Sequence, residues 1–392
     1  MSLSRRALVR AALLGARSVA LTSGLLAAGT PHAARNSAVN TRYGPLAAPD
    51  ALGLRLPRGF MGRRVARSGE PPVPGTGAWH AAPDGAICVP RAGGGWSYVS
   101  NCELNAPHGA VSALDFNRGG EPVGVRTLLG GAARPCAGGL SGNGHWLACE
   151  EVPNGIVWEV DVTGRHAPTR RPALGVFNHE AAARDPRTGC IYLTEDNGAG
   201  GLYRFTPARA DDLAEGTLKV LCTRAGSLIW LPVPDPLARH VATRKQVPEM
   251  LRFNGGEGAW FANGELSFTT KGDDRLWLYV PGRNALSVLY DGRANVNAPL
   301  RGVDNLIQDS SGLRYVAEDG DDMQICIVDA HGRASVLAQL TGVPGSEITG
   351  LAFAPAGDRL YFSSQRNPGA TYEIRGRFTG PADGASPAHG AH

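Results

Sequence analysis

A stretch of short apolar strands and glycine-rich turns, repeated along the chain, constrains the fold more than any other feature. Phe177 to Pro207 shows its plan: an apolar run opened by His179 and Glu180, a turn at Asp185 to Gly189, a strand Cys190 to Thr194 ending in Glu195 and Asp196, and a further strand Gly201 to Phe205. The same plan overlays Gly256 to Gly282, Val303 to Gly332 and Glu347 to Gly376, with a worn copy at Gly138 to Gly164. Opening acids fall at Glu180, Glu257, Asp304 and Glu347. Second-strand ends fall at Glu103, Glu150, Glu195, Lys271, Glu318 and Gln365, spaced 45 to 47 residues apart except for one step of 76. A period of this length, built of strands without a helical stretch, predicts an all-β chain, a six-bladed β-propeller with four-stranded blades.

Equivalent residues of successive blades surround one axis, so acids repeated at strand ends crowd one mouth of the central channel. Carboxylates gathered in a low-dielectric pocket repel one another and take up protons unless cations sit among them, so the pattern predicts bound metal. The alternative is that each acid caps its own turn.

The remaining segments set the boundaries. Ser4-Arg5-Arg6 and a modest apolar run from Ser18 to Ala28, too short to span a bilayer, look like a twin-arginine export signal over residues 1–34 rather than a stable membrane anchor. Residues 35–77, rich in Pro, Gly and Arg, read as an extended entry segment wrapping the propeller, 78–380 as the propeller, and 381–392 as a disordered tail. The break in period at about 206–250 reads as an insertion, either a lid over the channel or a loop covering a blade. The formal charge of +4 includes Arg5, Arg6, Arg10 and Arg17; without them it is about zero, and no basic stretch is interleaved with aromatics, so a nucleic-acid partner is not expected. Monomeric behaviour in the periplasm or outside the cell is expected.

Seven cysteines leave at least one unpaired. Cys149, Cys190 and Cys326 lie in apolar strand patterns and read as core residues. Cys136, in the turn Arg134-Pro-Cys-Ala-Gly-Gly, is a candidate thiolate ligand; the alternative is a disulfide half or loop thiol. A thiolate among hard carboxylates favours iron beside calcium.

In order along the chain, Cys136-Ala-Gly-Gly, Trp146-Leu-Ala-Cys-Glu-Glu151, Phe177-Asn-His-Glu180, Tyr192-Leu-Thr-Glu-Asp196, Gly256-Glu-Gly258, Gly302-Val-Asp-Asn305, Ala317-Glu-Asp-Gly320 and Ser363-Ser-Gln365 resemble the PhoX family of alkaline phosphatases. The resemblance implies a six-bladed propeller, twin-arginine export, and a cofactor of two iron ions and calcium ions joined through an oxo bridge, acting on phosphate esters. It implies Cys136 as the iron thiolate, and Glu150, Glu151, Glu180, Glu195, Glu257, Asp304, Glu318 and Asp319 as the pool of metal ligands. Asn101 and Glu103 stand where the family carries an Asn-His-Glu motif and are expected to bind substrate. Gly255 replaces an arginine that family members carry for phosphate, and Arg252 or Arg366 is the expected substitute. Glu257 and His179 are the candidate catalytic residues, with His179 as general acid or merely an orienting histidine. The expected partner is a small phosphorylated substrate. The alternatives are a calcium-dependent lactonase-like propeller or a non-catalytic binding propeller.

Overall fold

The computed structural model describes residues 42–294 and 296–378, all within the compact unit that spans 39–392. The expected signal at 1–34 and tail at 381–392 lie outside the described residues. Two strands come first, β1 (Leu54–Arg55) and β2 (Met61–Arg67). Six antiparallel meanders follow. They are β3 (Pro83–Pro90), β4 (Trp96–Cys102), β5 (Gly109–Phe116) and β6 (Pro122–Ala132); then β7 (Pro135–Leu140), β8 (Trp146–Glu150), β9 (Val157–Val160) and β10 (Thr169–Arg170). The third contains β11 (His179–Arg184), β12 (Ile191–Glu195), β13 (Leu202–Arg209), β14 (Asp212–Arg224) and β15 (Ser227–Pro232). The fourth contains β16 (Gly256–Ala262), β17 (Glu265–Thr270), β18 (Arg275–Val280) and β19 (Ala285–Asp291). The fifth contains β20 (Val303–Gln308), β21 (Arg314–Glu318), β22 (Gln324–Val328) and β23 (Ala334–Leu340), and the sixth β24 (Ile348–Phe353), β25 (Arg359–Ser364) and β26 (Ala370–Arg375). The innermost strands β3, β7, β11, β16, β20 and β24 neighbour one another in that order, and β24 returns to β3. The molecule is the expected six-bladed propeller.

Strand alternation explains why the blades stack. On β21, Tyr315 and Ala317 enter one apolar core while Val316 enters the next, and on β12, Ile191 and Leu193 part from Tyr192 in the same way. Each blade is therefore apolar on both faces and is buried between its neighbours. Burial of a side chain such as Phe362 or Tyr315 contributes roughly 1.5–3 kcal/mol. Turn capping falls to some of the repeated acids and to others: Glu195 and Glu318 accept from the Gly201 and Gln324 amides at 3.1 Å, Asp309 Oδ1 from the Ser311 and Leu313 amides at 2.8 and 3.0 Å, and Asp185 Oδ1 from the Arg187 amide at 2.9 Å.

Two expected segments take on regular structure. Within 35–77, β2 pairs with β26 as the outer strand of the last blade and β1 pairs with β23, so the segment supplies the strands that close the ring. Within 206–250, β13 runs on into β14, and β15 adds a fifth strand at the blade's outer edge. The stretch 206–232 widens a blade. Its apolar residues, such as Leu218, Val220 and Cys222, fill an inter-blade core, which the broken period concealed, and Val233, Val247 and Met250 after it pack on the same core.

Candidate metal centre

All six innermost strands break register near their start. The shifts lie between Pro83 and Ala86, Pro135 and Gly138, His179 and Ala182, Gly256 and Ala259, Val303 and Leu306, and Thr349 and Ala352. A bulge adds a residue to one strand and re-aims its side chains. In five blades the residue that enters the bulge is Asp84, Cys136, Glu180, Glu257 or Asp304. In the sixth it is Gly350; Thr349 before it donates its hydroxyl to the Pro83 carbonyl at 2.8 Å, and Glu347 supplies the acid. Asp84 was absent from the sequence-derived set, although Pro83-Asp-Gly85 has the same form as Gly256-Glu-Gly258.

A second ring follows the second strands. The residue after the position paired with the innermost strand is Glu103, Glu151, Asp196, Lys271, Asp319 or Gln365, at steps of 45 to 48 residues save one of 75. Three expected ligands are thereby corrected by one register position. Glu150, Glu195 and Glu318 point to the other face of their blades, where backbone amides already hold them. Glu150 accepts from the Ala133 amide at 2.8 Å and Trp158 Nε1 at 2.9 Å. Glu195 accepts from the Tyr203 hydroxyl at 2.8 Å and pairs with Arg244 at 3.0 Å. Glu318 accepts from the Arg301 and Gln324 amides at 2.9 and 3.1 Å.

The two rings converge into four overlapping sets whose ligand atoms lie within 4.8 Å of one another: Asp84, Glu103 and Cys136; Cys136, Glu151 and Glu180; Glu180, Glu257 and Asp304; Asp304, Asp319 and Glu347. Cys136, Glu180 and Asp304 are the shared members. Among them stand few cations. Arg134 pairs with Glu103 and, at 2.8 Å, with Glu151; Lys271 lies 2.8 Å from Asp304 and 3.1 Å from Asp319; Arg366 lies 2.6 Å from Glu347. Burial first, and then mutual repulsion, pushes the Asp84, Glu180 and Glu257 carboxyls well above the usual range. The same causes raise Glu151 to about 9, Glu347 to about 8, and the Cys136 thiol well above its ordinary value. Burial opposes the charge of Glu103 too, but Arg134 outweighs it and holds that carboxyl low. Glu180 Oε1 is buried with no hydrogen-bond partner, and Cys136 Sγ has only Asp84 Oδ2 at 3.5 Å. Acceptors crowded in this way, one of them orphaned, suit bound cations.

The other expected site residues separate. Asn101 does not face the cluster's open side: its amide donates to the Cys136 and Ala137 carbonyls at 2.9 and 3.0 Å and accepts from Trp146 Nε1 at 2.8 Å, so it fixes the Cys136 bulge. Glu103 belongs with the ligands and not with a substrate pocket. His179 is corrected by strand alternation, because Glu180 points into the cluster and its neighbour points into the core. The His179 ring is fully buried, lies 3.6 Å from the Phe177 ring, donates Nε2 to the Gly175 carbonyl at 3.0 Å, and burial lowers its pKa to about 3. Arg252 is exposed, whereas Arg366 stands at the cluster rim. The glycines beside Glu257 serve packing: a Cβ on Gly258 would lie 2.6 Å from the Leu306 amide of the next blade. All seven cysteines are free and buried.

The family model for alkaline phosphatase PhoX matches residues 153–275. The chain resembles PhoX in sequence and in fold. The structure of Pseudomonas fluorescens PhoX in complex with vanadate, a transition state analogue, matches with a TM-score of 0.71 at 15% identity, over 85% of this chain and 97% of that one. A Bacteroides thetaiotaomicron protein of unknown function matches with a TM-score of 0.53 at 10% identity, over 81% of this chain and 76% of that one. A Xanthomonas campestris gluconolactonase matches at 0.49 with 13% identity, over 85% of this chain and 98% of that one. No curated protein matches by sequence. The PhoX match spans Glu180, Asp196, Glu257 and Lys271, and the shared fold places them at one mouth of the channel.

Proposed function

We propose that the protein is an exported, metal-dependent phosphoric ester hydrolase of the PhoX type, with iron and calcium held at one mouth of the propeller channel. The observation that carries this reading is the set of four overlapping ligand groups at that mouth, where Cys136 is the only sulfur among carboxylates. A single-ion lactonase does not need so many acids. The vanadate complex of the Pseudomonas protein, which shares the fold, supports phosphoryl chemistry as its class.

Asp84, Glu103, Cys136, Glu151, Glu180, Glu257, Asp304, Asp319 and Glu347 are the residues to hold the ions. A thiolate suits iron and all-oxygen sets suit calcium, which assigns iron to the groups sharing Cys136 and calcium to those built on Asp304. Such a cluster, when bound, neutralises phosphoryl oxygens and acidifies a water, so hydrolysis needs no nucleophilic side chain. The chain's own residues do the positioning. Asn101 locks the peptide that carries Cys136, Arg134 ties Glu103 to Glu151, and Arg366, half-buried at the rim, offers its guanidinium to a phosphate of a small substrate. His179, neutral and core-facing, takes no proton-transfer role.

Export by the twin-arginine route rests on Ser4-Arg5-Arg6 and places the monomer in the periplasm or outside the cell. Among the described residues no helix is long and apolar enough to cross a membrane. Protein purified after export through its own leader should carry iron and calcium by elemental analysis and hydrolyse p-nitrophenyl phosphate or its bis-ester, and a chelator should abolish turnover. Metal-replete protein that cleaves neither ester would return the reading to a binding propeller.

A further inference from the structure

At the cluster, one blade departs from its neighbours. In the second ring four blades supply Glu103, Glu151, Asp196 and Asp319, and one supplies the neutral Gln365, whose amide bridges Asp84 and Glu103 at 2.5 and 2.7 Å. The remaining blade supplies Lys271. Its ammonium lies 3.2 Å from Glu257 Oε1, 2.8 Å from Asp304 Oδ2 and 3.1 Å from Asp319 Oδ2, three carboxylates drawn from two adjacent blades. An ammonium has three N–H donors and no acceptor, so three converging acceptors use it fully. Arginine's donors lie in one planar fork, which suits three acceptors converging on a point less well. The chain otherwise depends on arginine: only three of its 39 basic residues are lysines. The Lys271 amide donates to the Gly255 carbonyl at 2.9 Å, which fixes the root of the side chain against the cluster.

We propose that the Lys271 ammonium is a resident cation, holding a coordination position among Glu257, Asp304 and Asp319 that a divalent ion would otherwise take. This inference rests on the metal-cluster reading above and refines it: the centre carries one ion fewer than its acids provide for. Monovalent charge at that position also leaves Glu257 shared between the ammonium and the groups around Glu180.

The test compares wild type and Lys271→Gln after equilibrium dialysis against calcium alone, with ions per chain counted by elemental analysis. The variant should bind one more calcium than wild type. An equal or lower count overturns the inference. Acetic anhydride labelling of the calcium-loaded wild type, read by peptide mass spectrometry, is independent of the variant's folding. Exposed Lys245 should be modified while Lys271 is protected, and labelling of Lys271 as fast as Lys245 shows that an ion has displaced it and equally overturns the inference. A wild type that takes no ion, beside a variant that takes one, defeats the metal-cluster reading and leaves the resident cation standing; no ion in either defeats both.

Discussion

Adjacent residues at the ends of β8, β12 and β21 have opposite fates, because successive side chains of a strand leave on opposite faces. Glu150 and Glu151 are the sharpest pair. Glu151→Gln should lower the number of bound ions, with little change in the unfolding of the metal-free protein. Glu150→Gln should do the reverse. Its amide oxygen keeps the Ala133 and Trp158 donors, but its NH2 replaces the oxygen that accepts from the Ile156 amide, and this costs about 1–3 kcal/mol in urea unfolding while the ion count is unchanged. Loss of ions from Glu150→Gln but not from Glu151→Gln would mean that Glu150, and not Glu151, faces the cluster. Cys136→Ser should lose iron while calcium at the groups built on Asp304 persists, since a hydroxyl is a poor substitute for a thiolate. Iron content and the far-ultraviolet spectrum check both parts of that expectation.

Elements differ in how they fix the site. The bulges near the start of the innermost strands present the ligands, and they are held by contact between blades. Gly258 abuts the backbone at Asn305 and Leu306, so Gly258→Ala should force the fourth and fifth blades apart at a cost of roughly 1–3 kcal/mol. A lowered midpoint in denaturant with an unchanged slope would bear this out. Ring closure depends on β2, whose Val65 and Ala66 join the core between the first and last blades. Val65→Asp buries a carboxylate without a partner and should cost several kcal/mol. The chain should then show early proteolysis within β24 to β26, and a protease-resistant variant would argue that closure is not needed.

At the scale of the whole molecule, the propeller gathers charge that a single blade never would. Glu347 and Glu151, raised to about 8 and about 9 by burial and by their neighbours, keep protons in the folded chain that the unfolded chain releases above about 4.5. Between those values the folded state binds more protons than the unfolded state. Stability of the metal-free protein therefore declines as pH rises from about 4.5 toward 8 or 9. Melting in chelator should show this decline from pH 5 to 9, and saturating calcium should flatten it by supplying the opposing charge. A chelated protein equally stable at pH 5 and pH 9 would contradict the picture of a crowded carboxylate centre.

The amino-acid sequence by itself determined the all-β class, the number of blades and the mouth at which the acids gather, because a strand-and-turn unit of this period has only one economical way to bury two apolar faces. Glu180, Glu257 and Asp304 stood out in that pattern and Cys136 as a cysteine in a turn, whereas Glu151 and Asp319 entered only through the resemblance to the PhoX alkaline phosphatases. Tertiary structure alone decided which neighbour in each acidic pair enters the cluster, because a one-residue bulge reverses strand parity and leaves no composition signal. It alone brought Asp84 from beyond a proline, assigned Glu150, Glu195, Glu318 and His179 to the cores, and made residues 61–67 the outer strand of the last blade. Those outcomes depend on pairings across hundreds of residues and on backbone contacts between blades, which local sequence does not encode.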